Sequence, residues 1–459
     1  MNKKIIVAGA GHGGIVAAYY LAQGGFDVTV YEKKEKDQLG YEQTDSVHLD
    51  GFELAGIPVP EEYVVTKTPI TFCVPGTDIE PISQLEASDS LTVEIDRKEL
   101  YAYLISMAEE AGVSFVFGCD IQAPIVFGSR VAGLKTSLGD MYADMVIDAA
   151  GMYSPVRMNL PDFMHITKEP GNFNVMKTYR AYYEKKPQAP AAEFPYKVSL
   201  LTGEFCGILW VITKEDHIDV FIGAFNDLPE ERVENYLAVL REENPQLGEK
   251  LLKGGSFADI PVRAPLSVLV ADGYAAVGDS AFMTIPIKGS GVGYAMRAGK
   301  ILAEVIAADE DGMYDREHLW DYQVEFFEEI GAGAGMLAVI KSLFPLLTLD
   351  DLKYALGEKL VSSEDLTLFG SEAGILKIVS SLKMAALKDK AKKLVNFPDL
   401  RKLLTFVTGG ITRFKVIESR MRSKYDSAAV TRWAEGYEAF FAGLVESKQD
   451  KNEEKSENE

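Results

Sequence analysis

The chain has 459 residues, with 47 Lys and Arg against 69 Asp and Glu, and therefore a formal net charge of −22. Its length and its 47% apolar content are typical of a globular protein with two or three domains, which excludes wholesale disorder, and the acidic balance argues against nucleic acid as the main partner. The three Cys and five His lack the spacing of a disulfide framework or a metal site, so we expect no metal and a reducing compartment, the cytoplasm.

The chain begins with a βαβ pattern. Residues 4–8 form a short apolar run typical of a buried parallel strand, and a glycine-rich turn follows it. A helix is predicted over Ile15–Gln23 and a second strand over Phe26–Tyr31. Glu32 stands at the end of that strand.

The remaining elements are predicted from apolar spacing. They are a helix over 96–112, strands over 113–117 and 145–149, an antiparallel sheet between about 160 and 265, a strand, glycine loop and helix over 273–306, and helices from about 313 to 445. Residues 446–459 contain no apolar side chain and predict a disordered tail. No run reaches the roughly 18 apolar residues of a spanning helix, so no transmembrane segment is predicted.

Residues 9–14 read Gly-Ala-Gly-His-Gly-Gly and fit the dinucleotide-binding pattern G-x-G-x-x-G. Such glycines permit a tight turn, a close approach of backbone to a pyrophosphate, and close helix–strand packing. The positive end of the following helix stabilises phosphate charge. Glu32, 18 residues past Gly14, can accept a hydrogen bond from a ribose hydroxyl. FAD and NAD both use this pattern, so other residues must decide between them.

Further segments resemble the FAD signatures of the p-hydroxybenzoate hydroxylase fold. They are Asp96-Arg97, Asp148–Gly151 with Ser154 and Arg157, Val277–Ala281 with Pro286, and Gly289–Val292. The resemblance implies an α/β fold with a Rossmann-like FAD-binding domain of the glutathione reductase/p-hydroxybenzoate hydroxylase type, an antiparallel β-sheet substrate domain and a C-terminal helical region. It implies non-covalent FAD bound by Gly9, Gly11, Gly13, Gly14, Glu32, Arg97, Asp279, Pro286, Gly289, Gly291 and Val292.

Within that fold the chain resembles the geranylgeranyl reductase family. The run Ala276–Val305 and the strand Gly207–Val211 are similar to segments of that family, as is the long helical C-terminal region. Aromatic hydroxylases of the fold typically carry an Asp-Gly third turn, where this chain has Ala150-Gly151. The reductases usually carry a Cys near the flavin, where residues 39–43 read Leu-Gly-Tyr-Glu-Gln. The resemblance therefore implies the cofactor more firmly than the substrate.

The predicted division of the chain is discontinuous. The ranges are 1–60, 95–158 and 268–310 for the FAD-binding domain, 61–94 and 159–267 for the substrate-binding sheet domain, 311–445 for the helical region and 446–459 for the tail.

The resemblance implies an FAD-dependent oxidoreductase that reduces carbon–carbon double bonds of an isoprenoid or other apolar small-molecule substrate. The electron donor would be NAD(P)H or a reduced electron carrier. The alternatives are an FAD-dependent monooxygenase of an apolar or aromatic substrate and a flavoprotein that carries or senses a lipid without catalysis. Trp210 is a candidate for the substrate cavity, with a place in the core of the sheet as the other interpretation. No catalytic residue stands out, and His48 is expected on a surface loop.

Charge is unevenly distributed. Residues 377–432 contain 14 Lys and Arg against 4 Asp and Glu, a net charge of +10 in a chain of −22. One interpretation is peripheral contact with an anionic membrane surface at the inner face of the membrane, through an amphipathic helix over 375–395. The other is a solvated face whose apolar side packs on the catalytic core.

Overall fold

A computed structural model describes residues 3–75, 77–85, 91–171, 173–202, 206–225, 227–368 and 397–456. Its strands are β1 (Lys4–Ala8), β2 (Asp27–Tyr31), β3 (Thr44–His48), β4 (Val64–Thr66), β5 (Thr71–Cys73), β6 (Ile82–Ser83), β7 (Leu91–Asp96), β8 (Ser114–Val116), β9 (Ile121–Phe127), β10 (Arg130–Thr136), β11 (Gly139–Tyr142), β12 (Met145–Asp148), β13 (Val175–Lys185), β14 (Tyr196–Leu201), β15 (Gly207–Thr213), β16 (His217–Ala224), β17 (Leu247–Pro261), β18 (Val270–Ala271) and β19 (Tyr274–Ala276). Its helices are α1 (His12–Gln23), α2 (Leu49–Ala55), α3 (Arg97–Glu110), α4 (Pro155–Met158), α5 (Glu230–Glu243), α6 (Val292–Ala308), α7 (Arg316–Phe326), α8 (Ala332–Lys341), α9 (Leu349–Gly357), α10 (Ser363–Leu368), α11 (Pro398–Glu418) and α12 (Ser427–Ser456).

The nucleotide-type half is built on a six-stranded sheet with the order β18-β19-β12-β1-β2-β8. β1 pairs in parallel with β2 and β12, as its continuous apolar run predicts for a strand covered on both faces. Residues Ile5 to Ala8 are fully buried. Helix α1 begins at His12, three residues earlier than predicted, because the glycine motif itself forms the first helical turn.

The second large sheet has the order β17-β13-β16-β15-β14-β5-β6 and is antiparallel apart from the β14–β5 pair. The apolar alternation predicted it correctly, but the sequence analysis missed α5, which lies between β16 and β17. One face of α5 buries Val233, Leu237 and Leu240, a spacing of four and three residues typical of an amphipathic helix.

The chain joins the large sheet after residue 61, the boundary that the sequence analysis predicted. β4 pairs with β7 in a separate sheet with the order β3-β7-β4, and the first strand to join the large sheet is β5. Strand pairing in space sets this boundary, which composition along the chain does not show. The other domain boundaries stay predictions.

The C-terminal region is helical, as predicted, and its apolar side packs inward. In α11, Val407, Ile411 and Phe414 are buried, and Phe414 packs against the ring of Tyr437 in α12. Helix α12 extends to Ser456, into the range for which the sequence analysis predicted a disordered tail, and the disorder of the tail stays a prediction. Extending a helix whose first turns are already packed adds little entropic cost, and no Gly or Pro interrupts residues 446–456. The predicted membrane helix over 375–395 lies outside the described residues.

One helical stretch of the described chain, Arg316–Leu346, is long and apolar enough to cross a membrane by length and composition alone. Half of its most apolar window is buried inside the protein. Trp320, Phe326 and Leu337 from this stretch belong to the main hydrophobic core. The sequence analysis predicted no spanning helix here, because charged residues interrupt the apolar run of this stretch.

Candidate active site

The described residues enclose a cavity of about 990 Å3 between the glycine loop, one face of the seven-stranded sheet, and helices α9 and α10. The glycine loop and the segment 277–292 contribute mainly backbone and polar groups to its wall. The sheet and the C-terminal helices contribute apolar side chains, among them Val198, Leu200, Ile208, Phe344, Leu347 and Leu352. The cavity is therefore polar where the two predicted cofactor loops meet and apolar where the sheet faces the helices.

The glycine loop is shaped by its contact with the third turn. Gly9 adopts a left-handed φ of 85°, and a Cβ placed on it would lie 2.6 Å from the Cα of Ala150. α1 starts directly after Gly11, and in the described structure no side chain caps its N-terminus. The first N–H groups of the helix are thus available to an anion in the cavity, where the helix dipole also favours negative charge.

Glu32 holds the loop from the neighbouring strand. One carboxylate oxygen, Oε2, accepts a hydrogen bond from the backbone N–H of Ala10 at 2.8 Å, and Oε1 accepts one from Lys34 N–H at 2.9 Å. The side chain is buried and lines the cavity. It orders the glycine turn, and its predicted contact with a ribose stays a prediction.

Arg97 lines the same cavity from the start of α3 and forms a two-bond ion pair with Asp45. Its Nε–H donates to Oδ2 at 2.7 Å and its Nη2–H to Oδ1 at 2.6 Å. Burial alone would lower the pKa of Arg97, but the Asp45 carboxylate raises it above its ordinary value. Burial would raise the pKa of Asp45, and the guanidinium lowers it overall. The pair is therefore ionised at neutral pH.

His12 contributes a neutral ring beside this pair. Its imidazole lies 4.4 Å from the Tyr101 ring centroid to centroid, tilted by 31°. Burial, with a smaller effect of Arg97, lowers the pKa of His12 to about 4. Its Nε2 is buried and has no hydrogen-bond partner within the described chain. The ring offers one unused polar atom at the mouth of the glycine loop.

The loop after β19 places Asp279 in the cavity wall. Its Oδ1 accepts a hydrogen bond from the Thr284 hydroxyl at 3.0 Å. Burial raises the pKa of Asp279, and this hydrogen bond together with Arg97 opposes the shift only in part. A carboxyl group that is exposed to a cavity is suited to hold a hydroxyl of a ligand.

Asp148 fixes the third turn beneath this loop. Its carboxylate accepts hydrogen bonds from the Ser154 hydroxyl at 2.6 Å, the Ser280 hydroxyl at 2.9 Å and the Tyr274 hydroxyl at 3.0 Å. Arg157 is fully buried and donates to the carbonyl oxygens of Ser280 and Met152. Asp148, Ser154 and Arg157, which the resemblance singled out, join the two loops to each other through Ser280.

The predicted cofactor residues converge on the cavity, with three exceptions. Those in its wall are Gly11, Gly13, Glu32, Arg97, Asp279, Gly289, Gly291 and Val292. Gly9, Gly14 and Pro286 lie behind the wall and shape it. A Cβ on Gly14 would lie 2.5 Å from the Cβ of Ala149, so that position serves packing. Direct cofactor contact by this set stays a prediction.

Trp210 lies in the cavity wall and also packs on the sheet. Its ring stacks on the Phe221 ring, with 4.0 Å between the two centroids. The guanidinium of Arg180, which forms an ion pair with Asp219, lies 5.3 Å from the centroid of the Trp210 ring. The indole Nε1 is buried without a hydrogen-bond partner in the described part of the chain. Trp210 therefore packs in the sheet and also lines the cavity, and its contact with a substrate stays a prediction.

The expectation for His48 is wrong. Its side chain is only 6% exposed and lines the cavity at the end of β3, whereas a surface loop was predicted. The pairing of β3 with β7 carries it inward. Lys67 and Lys288, which the sequence analysis did not select, line the same cavity. Their positions are far apart in the chain, so no local pattern marks them.

Comparisons with known proteins agree with this geometry. The family described as NAD(P)-binding Rossmann-like domain matches residues 7–54. The chain is 24% identical over 410 residues to the digeranylgeranylglycerophospholipid reductase of Sulfolobus acidocaldarius, covering 86% of this chain and 87% of that protein. A similar relative from Methanothrix thermoacetophila is 25% identical, covering 83% and 97%. The chain is a homologue of the geranylgeranyl reductases. The predicted family resemblance and the predicted class, an oxidoreductase, are confirmed.

Solved structures confirm the predicted fold class of this geranylgeranyl reductase homologue. A geranylgeranyl bacteriochlorophyll reductase-like protein of Thermoplasma acidophilum superposes with a TM-score of 0.70 at 20% identity, covering 85% of this chain and 99% of that protein. A probable FAD-dependent monooxygenase of Pseudomonas aeruginosa superposes with a TM-score of 0.56 at 18% identity, covering 75% and 97%. The chain thus shares its fold with a reductase-like protein and with a probable FAD-dependent monooxygenase.

Proposed function

We propose that the protein is an FAD-dependent reductase of carbon–carbon double bonds in an isoprenoid or similarly apolar substrate. One observation carries the proposal: a single cavity joins the glycine loop and the Asp279 loop to an apolar wall of sheet and helices. A nucleotide cofactor suits its polar part, and an extended hydrocarbon suits the wall that includes Leu200 and Leu352. The names of the reductase relatives support the same substrate class.

The residues present fit FAD. The uncapped N-terminus of α1 and Arg97 supply positive charge for a pyrophosphate. Glu32, which is buried, and Asp279, which is exposed to the cavity, supply carboxyl groups for ribose and ribityl hydroxyls. The partnerless Nε2 of His12 lies in the same loop. FAD would contribute the hydride when reduced. The apolar wall of this chain would exclude water and orient the double bond.

The fold also supports the alternative, because a probable FAD-dependent monooxygenase shares it. The two functions differ in what reoxidises the reduced protein. For a reductase it is the alkene, and for a monooxygenase it is oxygen in the presence of substrate. We propose NAD(P)H or a reduced carrier as the electron donor. The step that reduces the flavin in the experiment below tests this donor.

We expect the purified holoprotein, reduced under anaerobic conditions, to regain its oxidised flavin absorbance when a polyprenyl alkene is added. The saturated polyprenyl compound of equal length is the matched control and should have no effect. Mass spectrometry should show a gain of two hydrogens per double bond consumed. Reoxidation that requires air and inserts oxygen into the product would replace the proposal by the monooxygenase.

A second proposal concerns location: we propose that the protein contacts anionic membrane surfaces through the exposed cations of α11. The apolar side of α11 is occupied by protein packing, while Arg401, Lys402, Arg413 and Lys415 are exposed. Each such cation near an anionic surface contributes about 1 kcal/mol. The contact is therefore electrostatic and sensitive to salt.

We expect the protein to co-sediment with vesicles rich in anionic lipid at low salt and to be released at high salt. The double reversal Lys402→Glu with Lys415→Glu should weaken this binding by at least about tenfold, since it removes two attractive charges and adds two repulsive ones. The matched control is the double reversal Lys36→Glu with Lys98→Glu, at exposed positions outside residues 377–432. It should weaken vesicle binding less. Equal loss in both double variants would show that only net charge matters.

A further inference from the structure

Two short helices, α9 and α10, cover the apolar end of the cavity. Leu352, Ala355 and Leu356 of α9 line the cavity at the spacing of one helix face, and Leu366 of α10 lines it as well. Leu352 and Leu356 pack in one hydrophobic cluster with Leu200 of the sheet. The hydrocarbon part of the cavity is therefore closed on this side by side chains of two helices and not by a sheet.

The other walls are less suited to the passage of a hydrocarbon. The floor is the seven-stranded sheet, whose strands are joined by backbone hydrogen bonds. One end is the polar region of the glycine loop, and at the end of β15 the wall carries the charged side chains of Lys214, Glu215 and Asp216. The strand order of the sheet ends at β6, and α10 lies against this edge. Within the described chain, the edge between β6 and α10 is thus the apolar route into the cavity.

Two hydrogen bonds close this edge. Gln84, which follows β6, is only 7% exposed and lines the cavity. Its Oε1 accepts a hydrogen bond from the Ile70 N–H at 3.2 Å, and its Nε2 donates one to the Leu366 carbonyl oxygen at 2.9 Å. The backbone N–H of Leu85 donates to the Thr367 hydroxyl at 2.8 Å. We call the two bonds from residues 84 and 85 to α10 the latch.

Each of the two helices carries its own N-terminal cap. Thr348 and Asp351 form a capping box at the start of α9. Before α10, the Ser362 N–H donates to Asp365 Oδ2 at 2.9 Å, and the Ser362 hydroxyl accepts from the Asp365 N–H at 3.2 Å. Between the helices, Lys359 has a left-handed φ of 52°, which is uncommon for a residue other than glycine. Because the caps are internal to each helix, the helices can move as units about this connection.

The outer side of α9 contacts the start of α11. The ring of Tyr354 stacks on the ring of Phe397, with 4.4 Å between the centroids and 15° between the planes. Leu360 and Leu400 belong to one further hydrophobic cluster. The route between β6 and α10 therefore lies beside the helix whose cations are proposed to contact a membrane. An apolar substrate is concentrated in a membrane, because water excludes it.

We propose that α9 and α10 form a lid over the apolar end of the cavity, and that release of the latch admits a hydrocarbon chain between β6 and α10. The inference rests on the proposed function for the apolar nature of the substrate and adds the route by which the substrate enters. A closed lid keeps water out while the double bond is reduced, and an open lid exchanges substrate and product.

The test is stopped-flow fluorescence of all-trans-retinol, an apolar isoprenoid, mixed with the holoprotein in its oxidised state. In Gln84→Leu the Leu366 carbonyl lacks its partner when the lid is closed and is hydrated when the lid is open, so the open state gains population. We expect the association and dissociation rate constants each to rise about three- to tenfold, the effect of one hydrogen bond. The Kd should change less than either rate constant, because both change in the same direction.

Gln246→Leu is the matched control. Gln246 is 5% exposed, its Nε2 donates to the Thr213 hydroxyl at 3.4 Å, and it lies outside the cavity wall. Its replacement also removes a buried amide, but both rate constants for retinol should stay as in the unmodified protein. Flavin content and the thermal midpoint of unfolding establish that each variant is folded.

A disulfide across the latch gives the opposite result. In the double variant Leu85→Cys with Thr367→Cys, oxidation should slow the association of retinol at least about tenfold, because α10 is then tied covalently to the end of β6. Dithiothreitol should restore the original rate, so that the reduced form of the same protein is its own control. The native cysteines are buried and free. The comparison of Gln84→Leu with Gln246→Leu does not depend on this disulfide.

Unchanged rate constants in Gln84→Leu overturn the inference, as does undiminished association in the oxidised double variant. Equal acceleration in Gln84→Leu and Gln246→Leu would assign the effect to general loosening and also overturn it. If the unmodified protein binds no retinol, the apolar cavity does not admit an isoprenoid and the entrance falls with it.

Failure of the proposed function gives a different result. If the latch variants change the retinol rate constants but no alkene reoxidises the reduced flavin, the lid stands and the reductase proposal falls. If alkenes reoxidise the flavin equally fast in the oxidised and reduced forms of the double variant, the reductase stands and the lid falls.

Discussion

Asp279→Ala should yield a folded protein that has lost most of its FAD. The carboxyl group is exposed to the cavity, and the Thr284 hydroxyl donates a hydrogen bond to its Oδ1. Loss of a hydrogen bond to a charged group weakens ligand binding by about 1.5–3 kcal/mol, which is roughly ten- to a hundredfold. The measurement is the flavin-to-protein ratio after purification, followed by titration of the apoprotein with FAD.

The control for this variant is Asp311→Ala, at an exposed turn, which should keep its flavin. Far-ultraviolet circular dichroism should be the same for both variants and the unmodified protein. A yellow, stoichiometric Asp279→Ala protein with unchanged affinity for FAD would contradict the assignment of this loop to the cofactor.

Gly299→Ala should destabilise the protein strongly, because α1 and α6 cross where neither helix has room for a methyl group. A Cβ on Gly299 would lie 2.2 Å from the carbonyl oxygen of Gly13, and a Cβ on Gly13 would lie 2.5 Å from the carbonyl oxygen of Ala295. Both obstacles are backbone atoms, so the helices themselves must separate. Overpacking of this kind costs about 3 kcal/mol of unfolding free energy, measured by urea denaturation.

Gly436→Ala is the matched control for this crossing. Gly436 lies inside α12, and a Cβ on it would meet no described atom within 4 Å. Replacing an open helical glycine by alanine should stabilise the protein by about 0.5–1 kcal/mol. Because the glycine loop begins α1, Gly299→Ala should also weaken flavin binding. Equal effects of the two substitutions on the free energy of unfolding would show that the crossing is not constrained.

Local sequence was sufficient for the nucleotide-type core. A strand, a glycine turn and a helix follow one another within the first 23 residues. Residues that are close in the chain form their hydrogen bonds and much of their packing. The order of the later loops around Asp148 and Asp279 resembled one fold closely enough to predict it. The same local logic held for α5, whose apolar spacing was present in the sequence but was overlooked among strands.

Local sequence was insufficient where charged groups meet across segments. The Arg97–Asp45 pair joins positions 52 residues apart, and the cavity is lined by His48, Lys67 and Lys288 from three segments. The residues next to each of these positions in the chain do not indicate which distant residue it meets.

The sequence by itself determined the fold class, the reductase resemblance and the two glycine loops that line the polar part of the cavity, because glycine turns, buried strands and helix starts are local requirements of backbone geometry. Only the tertiary structure decided that His48 is buried, that β4 leaves the large sheet to pair with β7, and which cations and carboxylates share the cavity. Those outcomes depend on strand pairing and on electrostatic compensation between distant segments, and both are set when the chain packs.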